Sequence, residues 1–474
     1  MTRRVLRKPK KNTKHTANAQ IGENSAPAAG QAPTLALYQR PMKVITDTDA
    51  LARGCDALKA QDYVAIDTEF MRETTFWPDL CLIQMAGGEQ EVIVDTLAEG
   101  IDLAPFFELM ADESVLKVFH AARQDVEIVH YLAGIIPHPI FDTQIAGMVC
   151  GFGESVSYSM LVKKLLGHDL DKTSRFTDWS RRPLSDKQLT YALGDVTHLR
   201  DLFPKLRDKL ETSGRARWLD EEMGVLTDPA TYEAHPELAW KRLKMRARTP
   251  TALAITMEVA TWRETEAQAQ NVPRRRVMKD EAIHDIATQA PKTEAELDRL
   301  RSLHQGFSRS ARGRAVLEAV RKGLDRASAS NRDTLPEIRR SEPLRADETA
   351  VLDLLRVLLK SAAGRHDVAP KLIATTSDLE KITRDDAADV PALRGWRAEL
   401  FGNDALAIKH GELALAVHEG HVSVMPVDGG KADADAASPL PTNRRGPKRK
   451  RRKRGGPKPS AALDETGAVK RPER

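Results

Sequence analysis

From Met42 to about residue 212, short apolar runs alternate with helical patterns, and beyond residue 213 the β-rich runs all but vanish. That switch constrains the chain more than any other feature. A strand needs its apolar face covered, so alternation of this kind builds an α/β unit, a mixed sheet flanked by helices. Tyr63–Ile66, Leu80–Gln84, Val92–Val94 and Val115–Phe119 read as strands. Helices are expected over about 121–133, 143–150, 158–166 and 186–210. Later apolar residues recur at helical spacing, most plainly over Thr251–Gln270 and Val351–Ser361. The organisation expected is therefore a mixed-sheet domain at 41–212, a helical linker at 213–247, and all-α modules at 248–325 and 345–425. A second linker, rich in Ser, Asn and Pro, occupies 326–344.

Charge is distributed unevenly. The first 14 residues hold seven Lys/Arg and no acid, and residues 444–458 hold ten and no acid. With a net charge of +5 for all 474 residues, the part between the arms (41–443) is left at about −12. Residues 1–40 and 426–474 read as disordered basic arms on an acidic body, which points to a polyanionic partner. A hydrophobic fraction of 41% excludes a wholly disordered chain. Three widely spaced cysteines, Cys55, Cys81 and Cys150, make neither a disulfide framework nor a zinc site. No apolar stretch approaches the ~18 residues of a membrane span, and the basic N-terminus lacks a secretory apolar core. A cytoplasmic protein is expected.

The chemistry lies in carboxylates. Asp67-Thr68-Glu69 follows the apolar run Val64–Ile66, and in a strand positions i and i+2 share a face. Two like charges beside a core repel unless something positive lies between them, and hard oxygen donors suit Mg²⁺ or Mn²⁺. A solvated strand end is the ordinary alternative. Asp125 falls in the first turns of a helix after the strand ending at Phe119, where the helix dipole also favours an acid. Ser185 and Gln188 form a capping-box pattern after Pro183, so Tyr191 and Asp195, four apart, share one helical face. Asp142, before Thr143-Gln144, reads as a helix N-cap.

Taken in order, D-x-E after a strand, an Asp after a strand-to-helix step and Y-x-x-x-D on a later helix resemble the DEDD exonuclease superfamily in its tyrosine-containing branch. Asp67–Arg72, Trp77-Pro78-x-Leu80-x-Leu82-Ile83-Gln84, Phe141–Gln144, Thr177-Asp178-Trp179-x-x-Arg182-Pro183-Leu184 and Tyr191-Ala192-x-x-Asp195-Val196 narrow the resemblance to the ribonuclease D family. The resemblance implies a ribonuclease H-like sheet and 3′→5′ hydrolysis of RNA. It assigns Asp67, Glu69, Asp125 and Asp195 to two divalent ions, Mg²⁺ or Mn²⁺, and Tyr191 to orienting the attacking water. From the family alone come tRNA precursors and other small structured RNAs as substrates, with 5′-nucleoside monophosphates as products.

Around that centre, His120, Arg181 and Arg182 are candidate substrate contacts, with Lys172 and Arg175 as further phosphate contacts or ordinary solvated charges. Ala260-x-Trp262-Arg263 and Asn271–Glu281 are similar to an HRDC domain, and Gly395-Trp396-Arg397-x-Glu399-Leu400-Phe401-Gly402 marks a second, HRDC-like module. Arg274, Arg275 and Arg276 are either phosphate contacts or a solvated helix start. Two other readings stay open: a DNA 3′→5′ exonuclease built on the same acids, and a non-catalytic RNA-binding scaffold. The ribonuclease D segments weigh against the first, and the presence of all five site residues weighs against the second.

Overall fold

A computed structural model describes residues 44–170, 177–244, 247–328, 333, 335–336 and 343–427. The arm at 1–40, nearly all of the arm at 426–474, Lys172, Arg175 and most of the 326–344 linker lie outside the described residues.

Six strands form one mixed sheet in the order β1-β4-β3-β2-β5-β6. They are β1 (Val44–Ile45), β2 (Tyr63–Met71), β3 (Asp79–Gly87), β4 (Gln90–Asp95), β5 (Leu116–Phe119) and β6 (Ile140–Asp142). Strand β3 runs antiparallel to both of its neighbours, β2 and β4, while β1 lies parallel to β4 and β5 lies parallel to both β2 and β6. Alternation along β2 fixes the two layers. Val64 and Ile66 enter the core under α1 (Thr48–Lys59), α2 (Ala104–Ala111) and α3 (Arg123–Ala133). Ala65 and its β3 partner Ala86 instead face α4 (Thr143–Val149), α5 (Tyr158–Leu166) and α6 (Asp186–Ser213). Two opposed alanines leave little bulk there, so the long α6 lies close on the sheet.

The expected helices are present, and α6 begins with the expected capping box. Ser185 N donates to Gln188 Oε1 at 3.0 Å, and Gln188 N donates back to Ser185 Oγ at 3.3 Å. β2 is longer than its apolar run: it continues to Met71, so Asp67 and Glu69 lie within the strand instead of after it. Their β3 partners Gln84 and Leu82 hold this polar half in register. The two-residue β1 and three-residue β6 carry too little pattern to be read from sequence.

The stretch 213–247 is not a separate linker. Leu219 of α7 (Ala216–Thr227) joins the core on the α6 side, and Leu226 and Tyr232 join the core on the α1–α3 side. Ala239 and Leu243 belong instead to the first helical module. That module comprises α8 (Pro250–Ala269), α9 (Arg274–Val277), α10 (Asp280–Gln289), α11 (Glu294–Leu297) and α12 (Ala311–Arg326). A Cβ at Gly323 of α12 would stand 2.7 Å from Ile255 Cα, so glycine permits the close α8–α12 crossing.

The second module contains α13 (Ala346–Arg365), α14 (Pro370–Ile373), α15 (Thr376–Arg384) and a helical stretch over 395–409. It docks on the catalytic domain through stacked Trp218 and Trp396 rings, 4.3 Å apart, and through Arg397, which pairs with Glu221 and Glu222 of α7. It is not all-α, as the sequence had suggested. A hairpin of β7 (Leu413–His418) and β8 (His421–Pro426) closes it. Glu419 and Gly420 both have positive φ, 50° and 80°, as a two-residue type I′ turn requires. Leu, Ala and Val from Ala405 to Val417 mimic a continuing helix, but Gly411 at φ 75° breaks it.

Candidate active site

The carboxylates converge on the α6 side of the sheet. Asp67 and Glu69 project from β2 just before a register shift between Glu69 and Phe70. Asp195 comes down from α6, one turn after Tyr191, whose hydroxyl donates to the Asp195 carboxylate. Oxygen atoms of Asp67, Glu69 and Asp195 all lie within 4.8 Å of one another. Asp125 stands beside this trio in the first turn of α3, 7% exposed, and its Oδ1 accepts a 2.5 Å hydrogen bond from Thr68 Oγ1.

A turn through Ala121, a non-glycine residue at φ 61°, places Asp125. Asp142 holds that turn. Its carboxylate accepts from Ala121 N at 3.0 Å, Ala122 N at 2.9 Å and Gln144 N at 2.7 Å, so it caps α4 and also pins the entry to α3. The N-cap reading of Asp142 is correct; its second function as a clamp has no local signature.

All four acids are pushed up from the ordinary carboxylate range. Burial is the largest cause for each, and for Asp67 and Glu69 the neighbouring Asp195 and Asp125 add repulsion. Glu69 rises to about 8, Asp125 and Asp195 rise to about 7, and Asp67 moves in the same direction. Among the described residues, no Lys or Arg figures among the groups that shift them. Gln84, paired with Asp67 across the sheet, is fully buried with neither side-chain Oε1 nor Nε2 hydrogen-bonded. A set of hard oxygen donors whose pKa values no described Lys or Arg lowers, beside an unmet buried amide, fits a divalent cation and its waters.

The flanking candidates divide. Arg182 spends all of its donors inside the fold. Nε and Nη2 grip Asp95 at 2.7 and 2.6 Å, Nη2 also reaches Cys81 O at 2.8 Å, and Nη1 reaches the carbonyls of Trp179 and Arg181 at 2.7 and 2.9 Å. It anchors the segment before α6 to the sheet and has no donor left for a phosphate, so the substrate-contact reading of Arg182 is corrected. Arg181 is exposed and paired with Asp178 at 3.0 Å. Since Thr143 Oγ1 donates to Phe119 O at 2.9 Å, it accepts from His120 Nδ1 at 3.0 Å, which leaves His120 Nε2 without the proton. Burial lowers the His120 pKa to about 4, so the ring is neutral and offers a phosphate no charge. Arg274 grips the buried Glu264 with two 2.6 Å bonds, while Arg275 and Arg276 are exposed.

Tyr158 was not anticipated. Its hydroxyl donates to the backbone carbonyl of Asp195 and its ring lies 5.3 Å from that of His120, so α5 fixes the height of α6 at the catalytic acid. Nothing in the sequence around Ser157-Tyr158 marks it, because its partner lies 37 residues away.

Residues 42–211 match the 3′-5′ exonuclease domain family, and residues 252–320 match the HRDC domain family. A sheet bearing this acidic cluster, followed by that helical module, defines a metal-dependent 3′→5′ exonuclease with an HRDC appendage. Ribonuclease D of Nitrobacter hamburgensis is 56% identical over 381 residues, which covers 80% of this chain and 98% of the relative. Ribonuclease D of Bartonella henselae is 47% identical over 81% of this chain and 94% of its own length. Among solved structures, Escherichia coli RNase D, an exoribonuclease involved in structured RNA processing, superposes with a TM-score of 0.68. It is 27% identical and covers 78% of this chain and 99% of its own. The chain belongs to the ribonuclease D family and is an exoribonuclease acting on RNA. Among the described residues, no helix is long and apolar enough to cross a membrane.

Proposed function

We propose that the chain trims 3′ trailers from structured RNAs, tRNA precursors above all, in the cytoplasm, and that it releases 5′-nucleoside monophosphates. The observation that carries this reading is the convergence of Asp67, Glu69 and Asp195 within 4.8 Å, with Asp125 alongside. These four acids would hold two divalent ions, Mg²⁺ or Mn²⁺. When bound, such a pair lowers the pKa of water and offsets charge on the departing 3′ oxygen.

The chain's own residues supply position. Tyr191 points its hydroxyl at Asp195, which places a hydrogen-bonding group at the site for orienting the attacking water. That hydrogen bond assigns Tyr191 to orienting the water first and to accepting a proton second. Thr68 holds the Asp125 carboxylate, and Tyr158 holds the backbone of α6 at Asp195. Residues 345–425 we read as a second, HRDC-like module, on the strength of the Gly395–Gly402 segment. Both modules would grip the body of a folded RNA and limit how far the 3′ end reaches the acids.

Incubating a tRNA precursor carrying a short 3′ trailer with the protein and Mg²⁺, then sizing the products, tests this function. Stepwise shortening to a defined stop is expected. Internal cuts would overturn the exonuclease reading, and equal degradation of a matched DNA strand would favour the DNA alternative.

A further inference from the structure

The loop between β2 and β3, residues 72–78, joins the strand carrying Asp67 and Glu69 to its antiparallel partner. It is held from two sides. On the catalytic side, Arg72 donates through Nε to Phe76 O at 3.2 Å and grips Glu127 of α3 at 2.9 and 2.7 Å, two residues beyond Asp125. On the other side, the HRDC module supplies the partner. Asn271 Oδ1 accepts from both Phe76 N and Trp77 N at 3.0 Å. Phe76 is buried with Ala267 and Val277 of that module, and the Arg274 guanidinium lies 4.3 Å from the Phe76 ring centre. Arg274 is itself fixed by the fully buried Glu264. Asn271 has φ 47°, a conformation that Asn, Asp and Gly adopt more readily than other residues.

The two loop N–H groups therefore have one acceptor, and it comes from a residue 194 positions further along the chain. Without it, both would be left unpaired in a half-buried setting, and the loop would have to shift to reach water. Such a shift pulls on β2 at its polar end and, through Arg72–Glu127, on the first turn of α3. Those are the elements that carry Asp67, Glu69 and Asp125.

We propose that Asn271 is a positioning residue for catalysis: through the 72–78 loop, the HRDC module sets the spacing of the catalytic acids in addition to any contact it makes with RNA. The proposal rests on the exonuclease reading above. Its test uses an RNA trinucleotide, which carries no folded RNA body for the helical module to grip. Asn271→Gly keeps the positive φ and deletes the acceptor, and Asn271→Asp keeps both. For Asn271→Gly the full chain should show kcat on the trinucleotide reduced about tenfold with KM within about twofold, a barrier change of about 1.4 kcal/mol. Hydrogen–deuterium exchange should quicken over 72–78, and Asn271→Asp should restore both readouts. Unchanged kcat in Asn271→Gly despite faster loop exchange would overturn the proposal, as would failure of Asn271→Asp to restore turnover. Were Asn271→Gly to lose its fold, the same kcat comparison between Asn271→Ser and Asn271→Asp decides it. Wild-type cleavage of the trinucleotide tests the exonuclease reading by itself, so a failure there is seen in the unmodified chain.

Discussion

Glu69, Leu82 and Asp95 lie in one row across β2, β3 and β4, so two carboxylates stand only two strands apart on the same sheet. Their surroundings have opposite effects. Asp95 is held by the Arg182 fork and its pKa falls below the usual value, even though burial pushes the other way. Glu69 is desolvated by burial, is shifted by no Lys or Arg among the described residues, shares its space with Asp195 and Asp125, and rises to about 8. A compensated acid ties two pieces of chain together. A cluster of acids without such a partner suits a divalent cation, and carboxylates with raised pKa values of this kind concentrate at reactive centres.

The largest expected effect breaks the uncompensated side. Asp195→Asn should reduce exonuclease turnover by roughly three orders of magnitude, about 4 kcal/mol of barrier. It should also leave the metal-free protein as stable as before or more so, since one of several repelling charges is gone. Product release and thermal melting, measured on one preparation, check both halves. Tyr191→Phe should slow turnover by about 10–100-fold with metal affinity nearly unchanged, as isothermal titration would report; loss of metal binding would deny it the orienting role.

On the compensated side the pattern should invert. Arg182→Ala should cost about 2–4 kcal/mol of stability in urea melts, because it strands Asp95 and frees the segment before α6. Its Mg²⁺ affinity, measured below the melting transition, should stay within a few-fold of wild type.

The smallest effect sharpens the contrast through pH. The four acids have raised pKa values, so the folded metal-free protein binds more protons than the unfolded chain between about pH 4 and 8. Their contribution to stability is therefore lost progressively as pH rises from about 4, and the loss is complete above about 8, where Asp125, Asp195 and Glu69 have ionised. Mg²⁺ offsets that loss and competes with fewer protons at high pH. The rise in Tm on adding Mg²⁺ should be about 2–4 °C larger at pH 8 than at pH 6.

Much of this was legible in the sequence, and the boundary between what was and was not has a physical cause. Asp67 and Glu69 could be paired by the strand period, Tyr191 and Asp195 by the helical turn, and Asp142 and Ser185 by local capping chemistry. Each relation spans four residues or fewer. Arg182 was misread because its partner Asp95 is 87 residues away, and an arginine beside Trp179 looks the same whether it faces RNA or a buried carboxylate. Arg274 shows the same limit, since its place above Phe76 arises only when two modules meet. The hairpin at 413–426 escaped because its Leu and Ala residues favour a helix, and the decision rests on the positive φ at Gly411 and Gly420.

The division of residues 213–247 between neighbouring cores bears on how this molecule can be dissected. A fragment ending at residue 212 loses Leu219, Leu226 and Tyr232, plugs on both flanks of the sheet, and would bare two greasy scars. To keep both cores of the isolated sheet domain plugged, the stop codon belongs after Tyr232 and ahead of Ala239, where the allegiance of the polypeptide changes. Such a fragment gives up the hold of Asn271 on the 72–78 loop.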